Sequence, residues 1–455
     1  MQTLFGTDGV RGRANVEPMT GETAMKLGRA AASVFKNQSG GRHRIVIGKD
    51  TRISGDMLEA ALTAGLCSMG VDVLLVGPIP TPAVAFLARS LRADAGVVIS
   101  ASHNPFDDNG IKFFCRNGFK LPDAVEREIE RRVFSNTISD RRPTAAAIGK
   151  AFRLDDAKGR YVEYVKNSLP KGFDFEGMKV VVDCAHGAAY QVAPTILREL
   201  GAEVTAIGNA PNGVNINLDC GAVHPERLQK VVAEVGADIG IAHDGDADRV
   251  LFVDAQGRVI DGDAVLVTLA LSLQRAGALK GNAMVATVMS NMGLEIALRA
   301  AGVRVVRSAV GDRCVLEQMV KNDLNFGGEP SGHVVFLDHH TTGDGLITAV
   351  QFLRFMKQTG KRASELADCM TSLPQVLLNV RVRRKTPLPE IPGMASLLAD
   401  CETRLNGQGR LLVRYSGTEP LLRVMLEGES RVAILAMAGS ITHLAEKHLG
   451  ESEAL

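Results

Sequence analysis

Ser100-Ala101-Ser102-His103-Asn104-Pro105 follows directly on the apolar run Ala95–Ile99, so two hydroxyls, an imidazole and an Asn-Pro turn stand at the end of a strand-like segment. In an isolated turn such residues only hydrogen-bond locally. A second segment of the same kind changes that reading. Asp244-Gly245-Asp246-Ala247-Asp248-Arg249 follows the run Ala237–Ala242 and offers three carboxylates at alternate positions beside a guanidinium. Such an oxygen-rich set suits a hard divalent cation of the magnesium type. It is not a calcium EF-hand loop, because its sixth position is Arg249 instead of Gly and its twelfth is Ala255 instead of Glu. A hydroxyl able to carry phosphate, a cation site and nearby Arg residues together indicate phosphoryl transfer.

Three further segments carry suitable groups. Arg414-Tyr415-Ser416-Gly417-Thr418, followed by Arg423, offers guanidinium groups, hydroxyls and a Gly N–H suited to phosphate oxygens; a polar hairpin turn is the alternative. Glu329-Pro330-Ser331-Gly332-His333 pairs an acceptor carboxylate with a hydroxyl and an imidazole, groups suited to sugar hydroxyls. Phe5-Gly6-Thr7-Asp8-Gly9-Val10-Arg11-Gly12 places an Arg in a Gly-rich loop compatible with an anion. Gly48-Lys49-Asp50 lacks the Ser or Thr that a phosphate-binding P-loop needs after its Lys. His339 and His340 are chain neighbours, which rarely point at one ligand, so no metal is assigned to them.

The elements that must position these groups repeat. Strand-like runs at 44–48, 179–183 and 283–288 each lead into a helix that ends at a Gly (Gly70, Gly201, Gly302), and a strand follows at once. A helix and a third strand, near 95–100, 238–242 and 324–327, complete each unit. Strand-helix-strand-helix-strand in triplicate predicts three α/β units built on parallel strands. In such sheets ligands sit beyond the strands' carboxyl ends. The Ser102, Asp244–Asp248 and Glu329–His333 loops all occupy that place, which argues for one shared site. Half-exposed strands at 376–382 and 411–414, with helices at 393–404 and 431–447, predict a smaller α+β domain at the end. The expected domains are 1–151, 152–253, 254–371 and 372–455: three mixed-sheet α/β domains and an α+β domain around a central cleft.

At 455 residues the chain is too long for one core. A net charge of +1 gives no reason to expect a nucleic-acid or acidic-membrane partner. No stretch reaches the length of a membrane helix, and the N-terminus lacks a secretion pattern. Seven dispersed Cys residues make neither a disulfide framework nor a zinc site. The chain is expected to be cytoplasmic.

In combination these motifs, which occur in order along nearly the whole chain, resemble the α-D-phosphohexomutase family. The resemblance implies that Ser102 is the phosphate carrier and that Ser102, Asp244, Asp246 and Asp248 hold one magnesium ion. Ala247 stands where Gly is common. Glu329, Ser331 and His333 fall on the family's sugar-recognition loop, and Arg414, Ser416, Gly417, Thr418 and Arg423 on its phosphate-binding loop. Lys112 matches a family lysine and is the candidate for general acid/base work, with His333 or Arg11 as alternatives; Arg249 would neutralise charge. Phe5–Gly12, Ile99–Phe114 and Asp183–Tyr190 look like the family's glucosamine branch, although Cys314 stands where Tyr is expected. The implied reaction interconverts glucosamine 6-phosphate and glucosamine 1-phosphate through a 1,6-bisphosphate, feeding UDP-N-acetylglucosamine. The phosphomannomutase/phosphoglucomutase branch is the runner-up, and a metal-dependent sugar phosphatase stands behind it. The expected partner is a small sugar phosphate, with a homodimer left open.

Overall fold

The computed structural model describes residues 4–6, 8–36, 43–135, 142–416 and 420–450. The chain forms two compact units: Met1–Met289 with Val306–Asp368, and Ser290–Val305 with Cys369–Leu455.

The first unit begins with β1 (Val10–Arg13), α1 (Gly21–Phe35), β2 (Arg44–Lys49), α2 (Gly55–Ser68), β3 (Asp72–Pro78), α3 (Thr81–Ser90), β4 (Ala95–Ile99), β5 (Asp108–Cys115), α4 (Asp123–Phe134) and β6 (Ala151–Arg153). These strands make a sheet of order β1-β5-β4-β2-β3-β6. β2 pairs in parallel with both β3 and β4, whereas β5 runs antiparallel to β4 and β1 antiparallel to β5. Every residue of β4 is buried, as expected of a strand covered on both faces. A second set follows: α5 (Ala157–Lys166), β7 (Lys179–Asp183), α6 (Val192–Glu199), β8 (Glu203–Ile207), α7 (Glu226–Val235), β9 (Ile239–His243), β10 (Val250–Asp254) and β11 (Val259–Ile260). Its sheet order is β11-β10-β9-β7-β8, parallel among β7, β8 and β9 and antiparallel at the β9–β10–β11 end. The third set comprises α8 (Gly262–Arg275), β12 (Ala283–Thr287), α9 (Met292–Ala300), β13 (Arg304–Ser308), α10 (Asp312–Lys321), β14 (Phe326–Gly328), β15 (Val334–Phe336), α11 (Gly345–Thr359) and α12 (Ala363–Ala367), of which α9 and the start of β13 are counted with the second unit. Its sheet order is β13-β12-β14-β15.

The repeated helix-to-strand turns have one geometry. Gly70, Gly201 and Gly302 all have positive φ, between 75° and 90°. The next amide reaches back to close the helix: Val71 to Leu66, Ala202 to Leu197 and Val303 to Leu298, at 2.9–3.2 Å. This is the Schellman arrangement, and it needs a left-handed residue at that Gly. The turns fix where each second strand starts. The loops of interest leave β4, β9 and β14 at their carboxyl ends.

A buried hub ties the three sets together. The Phe86 and Tyr164 rings stack at 4.0 Å, and His340 meets Tyr164 edge-on at 5.6 Å. His340 donates from Nε2 to the Pro82 carbonyl (2.9 Å) and accepts the Thr341 amide at Nδ1 (2.8 Å). Tyr161 donates to Asp344 Oδ2 at 2.8 Å, and Asp344 caps α11 by accepting the Leu346 and Ile347 amides. The structure thus gives His340 a scaffold role.

The second unit's sheet contains β16 (Gln375–Arg381), β17 (Arg410–Tyr415) and β18 (Leu421–Glu427) in the antiparallel order β16-β18-β17, with α13 (Met394–Leu405) and α14 (Arg431–Leu449). Leu422, Val424 and Leu426 enter its core beside Ile434, Ala438 and Ile441. The alternation therefore turns Arg423 to the opposite face.

Burial pushes the His340 pKa down to about 3. The unfolded chain, with a His near 6.5, then binds more protons, so stability is complete above about pH 6.5 and is lost as the pH falls toward 3. Between pH 7 and pH 5 this one group should cost about 2 kcal/mol. Urea midpoints measured at the two pH values should show a smaller difference in His340→Gln than in the parent. An equal difference would remove His340 as the cause.

Candidate active site

Ser102 lies at the tight turn after β4, 1 % exposed, with a left-handed φ of 54°. Its Oγ donates to Asp244 Oδ2 at 2.6 Å. Asp244, Asp246 and Asp248 are all buried, and one oxygen from each lies within 4.8 Å of the others. Asp246 Oδ2 accepts from Thr81 Oγ1 (2.6 Å) and Lys112 Nζ (3.0 Å). Asp246 Oδ1 and Asp248 Oδ1 are buried and accept no hydrogen bond among the described residues. Burial, reinforced by the charges of Asp248 and Asp246, pushes Asp244 well above the usual carboxylate range. Burial acts on Asp246 in the same sense, but Lys112 and the Thr81 hydroxyl outweigh it and hold that carboxyl low. Three hard oxygen donors, two of them with unused buried lone pairs and all repelling one another, fit a divalent cation.

A chain of alternating charge extends from this cluster. Lys112 Nζ lies 3.0 Å from Asp246 and 3.1 Å from Asp8. Burial disfavours its charge, yet Asp246 and Asp8 more than compensate and raise its pKa. Asp8 also pairs with Arg11 and Lys120, and Lys120 Nζ reaches Asp312 Oδ2 at 2.5 Å. Arg249 sits beside Asp248, Nε to Oδ1 3.8 Å, and donates from Nη1 to His103 Nδ1 at 3.3 Å. Burial and the Arg249 charge lower the His103 pKa, so this ring is a neutral neighbour of Ser102 Oγ at 3.4 Å.

Asp8, Arg11, Asp248, Arg249, Glu329 and His333 line a cleft of about 580 Å³. Glu329 follows β14, and its Oε1 accepts the Gly311 amide at 3.0 Å. Ser331 Oγ is buried without a hydrogen-bond partner among the described residues. His333 places Nδ1 3.6 Å from Asp248 Oδ2 and Nε2 3.9 Å from Asp312 Oδ2. Burial depresses its pKa, but Asp248 and Asp312 outweigh that and raise it. The Gly343 amide donates to Nε2 at 3.2 Å, which assigns the neutral ring's proton to Nδ1. Only Gly is tolerated at 343, since a Cβ there would collide with the imidazole.

The structure therefore brings together Ser102, Lys112, Arg11, the three aspartates, Arg249, Glu329, Ser331 and His333. Arg414 and Arg423 belong to the other unit, where they are directly paired across β17 and β18. Opposed like charges repel across a ladder. Lys385 Nζ holds the Ser416 carbonyl at 2.6 Å. Gly417 and Thr418 lie outside the described residues. Sequence reasoning missed Asp8, Thr81, Lys120 and Asp312. Asp8 lies inside the Phe5–Gly12 segment and Asp312 two positions before Cys314, so proximity to residues already singled out could have found both; Thr81 and Lys120 stand in no motif.

Four family models match the chain in order: phosphoglucomutase/phosphomannomutase alpha/beta/alpha domains I, II and III at residues 2–139, 159–257 and 261–373, and the C-terminal domain at 377–444. The chain belongs to the phosphoglucomutase/phosphomannomutase family, the α-D-phosphohexomutases. A curated relative from Geobacter sp. (strain M21), a phosphoglucosamine mutase, is 60 % identical over 450 residues, covering 99 % of each chain. One of the same name from Syntrophotalea carbinolica is 59 % identical over 98 % of each. Among solved structures, a phosphoglucomutase/phosphomannomutase family protein from Burkholderia thailandensis superposes with a TM-score of 0.79 at 25 % identity, covering 99 % of this chain and 98 % of its own.

The carboxylate geometry predicts one divalent-cation site per chain. Calorimetric titration of magnesium into the chelator-stripped protein should give a single site, and Asp248→Asn should weaken it about 100-fold or more. Thr81→Val, which only frees Asp246 Oδ2, should weaken it about 10- to 100-fold. Unchanged affinity in both variants would make the cluster structural.

Proposed function

We propose that this chain is a phosphoglucosamine mutase: it interconverts glucosamine 6-phosphate and glucosamine 1-phosphate, with Ser102 as the phosphate carrier. The observation that carries the chemistry is the Ser102 hydroxyl held 2.6 Å from a carboxylate of the buried triad. The choice of amino sugar is supported by the relatives of that name, near 60 % identity over the whole chain. The product feeds UDP-N-acetylglucosamine, and the compartment is the cytoplasm.

In the forward half-reaction the Ser102 Oγ–P bond breaks as the sugar's 1-oxygen bonds to phosphorus and gives up its proton, leaving a 1,6-bisphosphate. After this intermediate turns over, Ser102 Oγ takes the 6-phosphoryl group and the 6-oxygen regains a proton. Magnesium, held by Asp244, Asp246, Asp248 and an oxygen of phosphorylated Ser102, would supply charge neutralisation at the transferring group. Arg249, beside the triad and on the cleft wall, adds a second positive charge there. Asp246 and Asp8 hold Lys112 as an ammonium, so it would steady negative charge beside the triad, and it could serve as the general acid/base only once those two ion pairs are loosened. His333, with Nδ1 protonated and Nε2 accepting, and Arg11 are the other groups within the cleft that can serve the acid/base steps. Glu329 and Ser331 would hold sugar hydroxyls. Arg414, Ser416, Gly417, Thr418 and Arg423 would hold the phosphate that is not reacting.

The test compares glucosamine, glucose and mannose 6-phosphates side by side with a trace of the matching 1,6-bisphosphate. The highest kcat/KM is expected on glucosamine 6-phosphate, and Ser102→Ala should lower kcat by at least about 10³-fold. A preference for glucose or mannose phosphate would move the chain to the phosphomannomutase/phosphoglucomutase branch. Free phosphate in place of isomerised sugar would make it a phosphatase.

A further inference from the structure

Ser102 occupies a left-handed backbone conformation, φ 54°, that strains an L-residue, so something must hold it there. Its side chain alone cannot, because the Oγ is committed to Asp244. The Ser102 carbonyl is where the restraint is found. Arg52, with no exposed side-chain surface, donates from Nη2 to the carbonyls of Ser102 (2.9 Å) and Asn104 (2.8 Å). Its Nη1 donates to the carbonyls of Asp108 (2.9 Å) and Pro105. Asn217 Nδ2, from the loop before α7, donates to the same Ser102 and Asn104 oxygens at 2.9 and 3.1 Å. On the remaining side Gly245 packs so closely that a Cβ there would lie 2.5 Å from the Ser102 oxygen.

The Arg52 charge is anchored in turn. Asp50 Oδ2 accepts from Arg52 Nε at 2.8 Å and from Ser100 Oγ at 2.5 Å, and Ser100 Oγ accepts the Ser102 amide at 2.9 Å. Both peptide groups of Ser102 are therefore fixed from the end of β2, and one of them from the second sheet's loops as well. We propose that Arg52 and Asn217 are positioning residues that clamp the Ser102 carbonyl, hold its left-handed turn and thereby aim the hydroxyl at the metal loop. This rests on Ser102 being the phosphate carrier.

Two variants separate the clamp from general folding. Asn217 itself has φ 58°, so Asn217→Gly keeps that backbone at no steric cost while deleting the amide. Arg52→Lys keeps the charge beside Asp50 but loses the planar fork that serves four carbonyls. The reading is the single-turnover rate constant for phosphoryl transfer from glucosamine 1,6-bisphosphate to Ser102, followed by intact mass, so inactive molecules change the amplitude and not the rate. Asn217→Gly should be about 2- to 13-fold slower and Arg52→Lys about 10- to 160-fold slower, with KM for glucosamine 6-phosphate within about twofold of the parent. Hydrogen exchange should rise in residues 100–108 in both variants. Rate constants within about twofold of the parent, or a loss that lies wholly in KM, would overturn the clamp and leave the mutase reading standing. A parent protein that takes no phosphate on Ser102 would overturn both. Should Arg52→Lys fail to fold, Asn217→Gly decides alone.

Discussion

Like charges forced together in a poorly hydrated space set the terms for this fold. Three carboxylates within 4.8 Å, all buried, repel one another strongly wherever the local dielectric is low. The protein offsets this with a sign-alternating chain that runs through its first unit. Lys112 stands between Asp246 and Asp8, and Lys120 between Asp8 and Asp312. Deleting any one member leaves a partner charged and buried, which costs far more than the pair contributes when intact. The network thus links groups from the first, second and third sheets energetically as well as spatially.

The second constraint is direction. Side chains along a strand stand perpendicular to the sheet on alternate faces, so the chain must turn to aim one beyond the strand's end, and both key loops turn with a left-handed residue: Ser102 at φ 54° and Ala247 at φ 56°. Gly would adopt this without strain, but Ser102 must keep its hydroxyl and Ala247 has a Cβ to accommodate. Hydrogen bonds supply the restraint instead. The Ala247 amide returns to the Asp244 carbonyl at 3.1 Å, and the Ala247 carbonyl accepts the Gly345 amide at 3.1 Å. The loop carrying the three aspartates is thus braced by the start of α11, whose cap Asp344 is held by Tyr161.

Much of this was legible in the sequence because the parallel strands are continuous apolar runs closed by Gly-capped helices. Those patterns are local, and β2, β4, β7 and β9 began within a residue of their expected places. β5 was hidden because it opens with Asp108-Asn109-Gly110, which reads as a turn, although its later residues are buried between β1 and β4. Motif chemistry located Ser102 and the aspartates, since one stretch of chain holds each set. It could not locate Thr81 or Lys120, whose partners lie 165 and 112 positions away. Gly48-Lys49-Asp50 shows the same limit from the other side. Its Lys49 is spent on Asp56 and Glu59, and its Asp50 anchors Arg52. The residues were noticed, but only the tertiary structure shows that their work is support.

A phosphoserine enzyme can pass its phosphoryl group to water or to a bound hydroxyl, and the surroundings of Ser102 bear on that choice. The serine is 1 % exposed, with its oxygen turned onto Asp244 and its backbone pinned between two sheets. Any acceptor must be brought to a serine so enclosed by groups that bind and orient it. The groups lining the cleft suit an acceptor larger than water: Glu329 and His333 together with Arg249 and Arg11. Because a mutase must accept first one hydroxyl and then another, its acid/base groups need to serve both directions. Burial works against the charge on Lys112 and His333, but Asp246 and Asp8 around the first and Asp248 and Asp312 around the second outweigh it and hold both protons in place. The charge alternation that makes the buried carboxylates tolerable would therefore also govern which of these groups can exchange a proton in a reversible transfer.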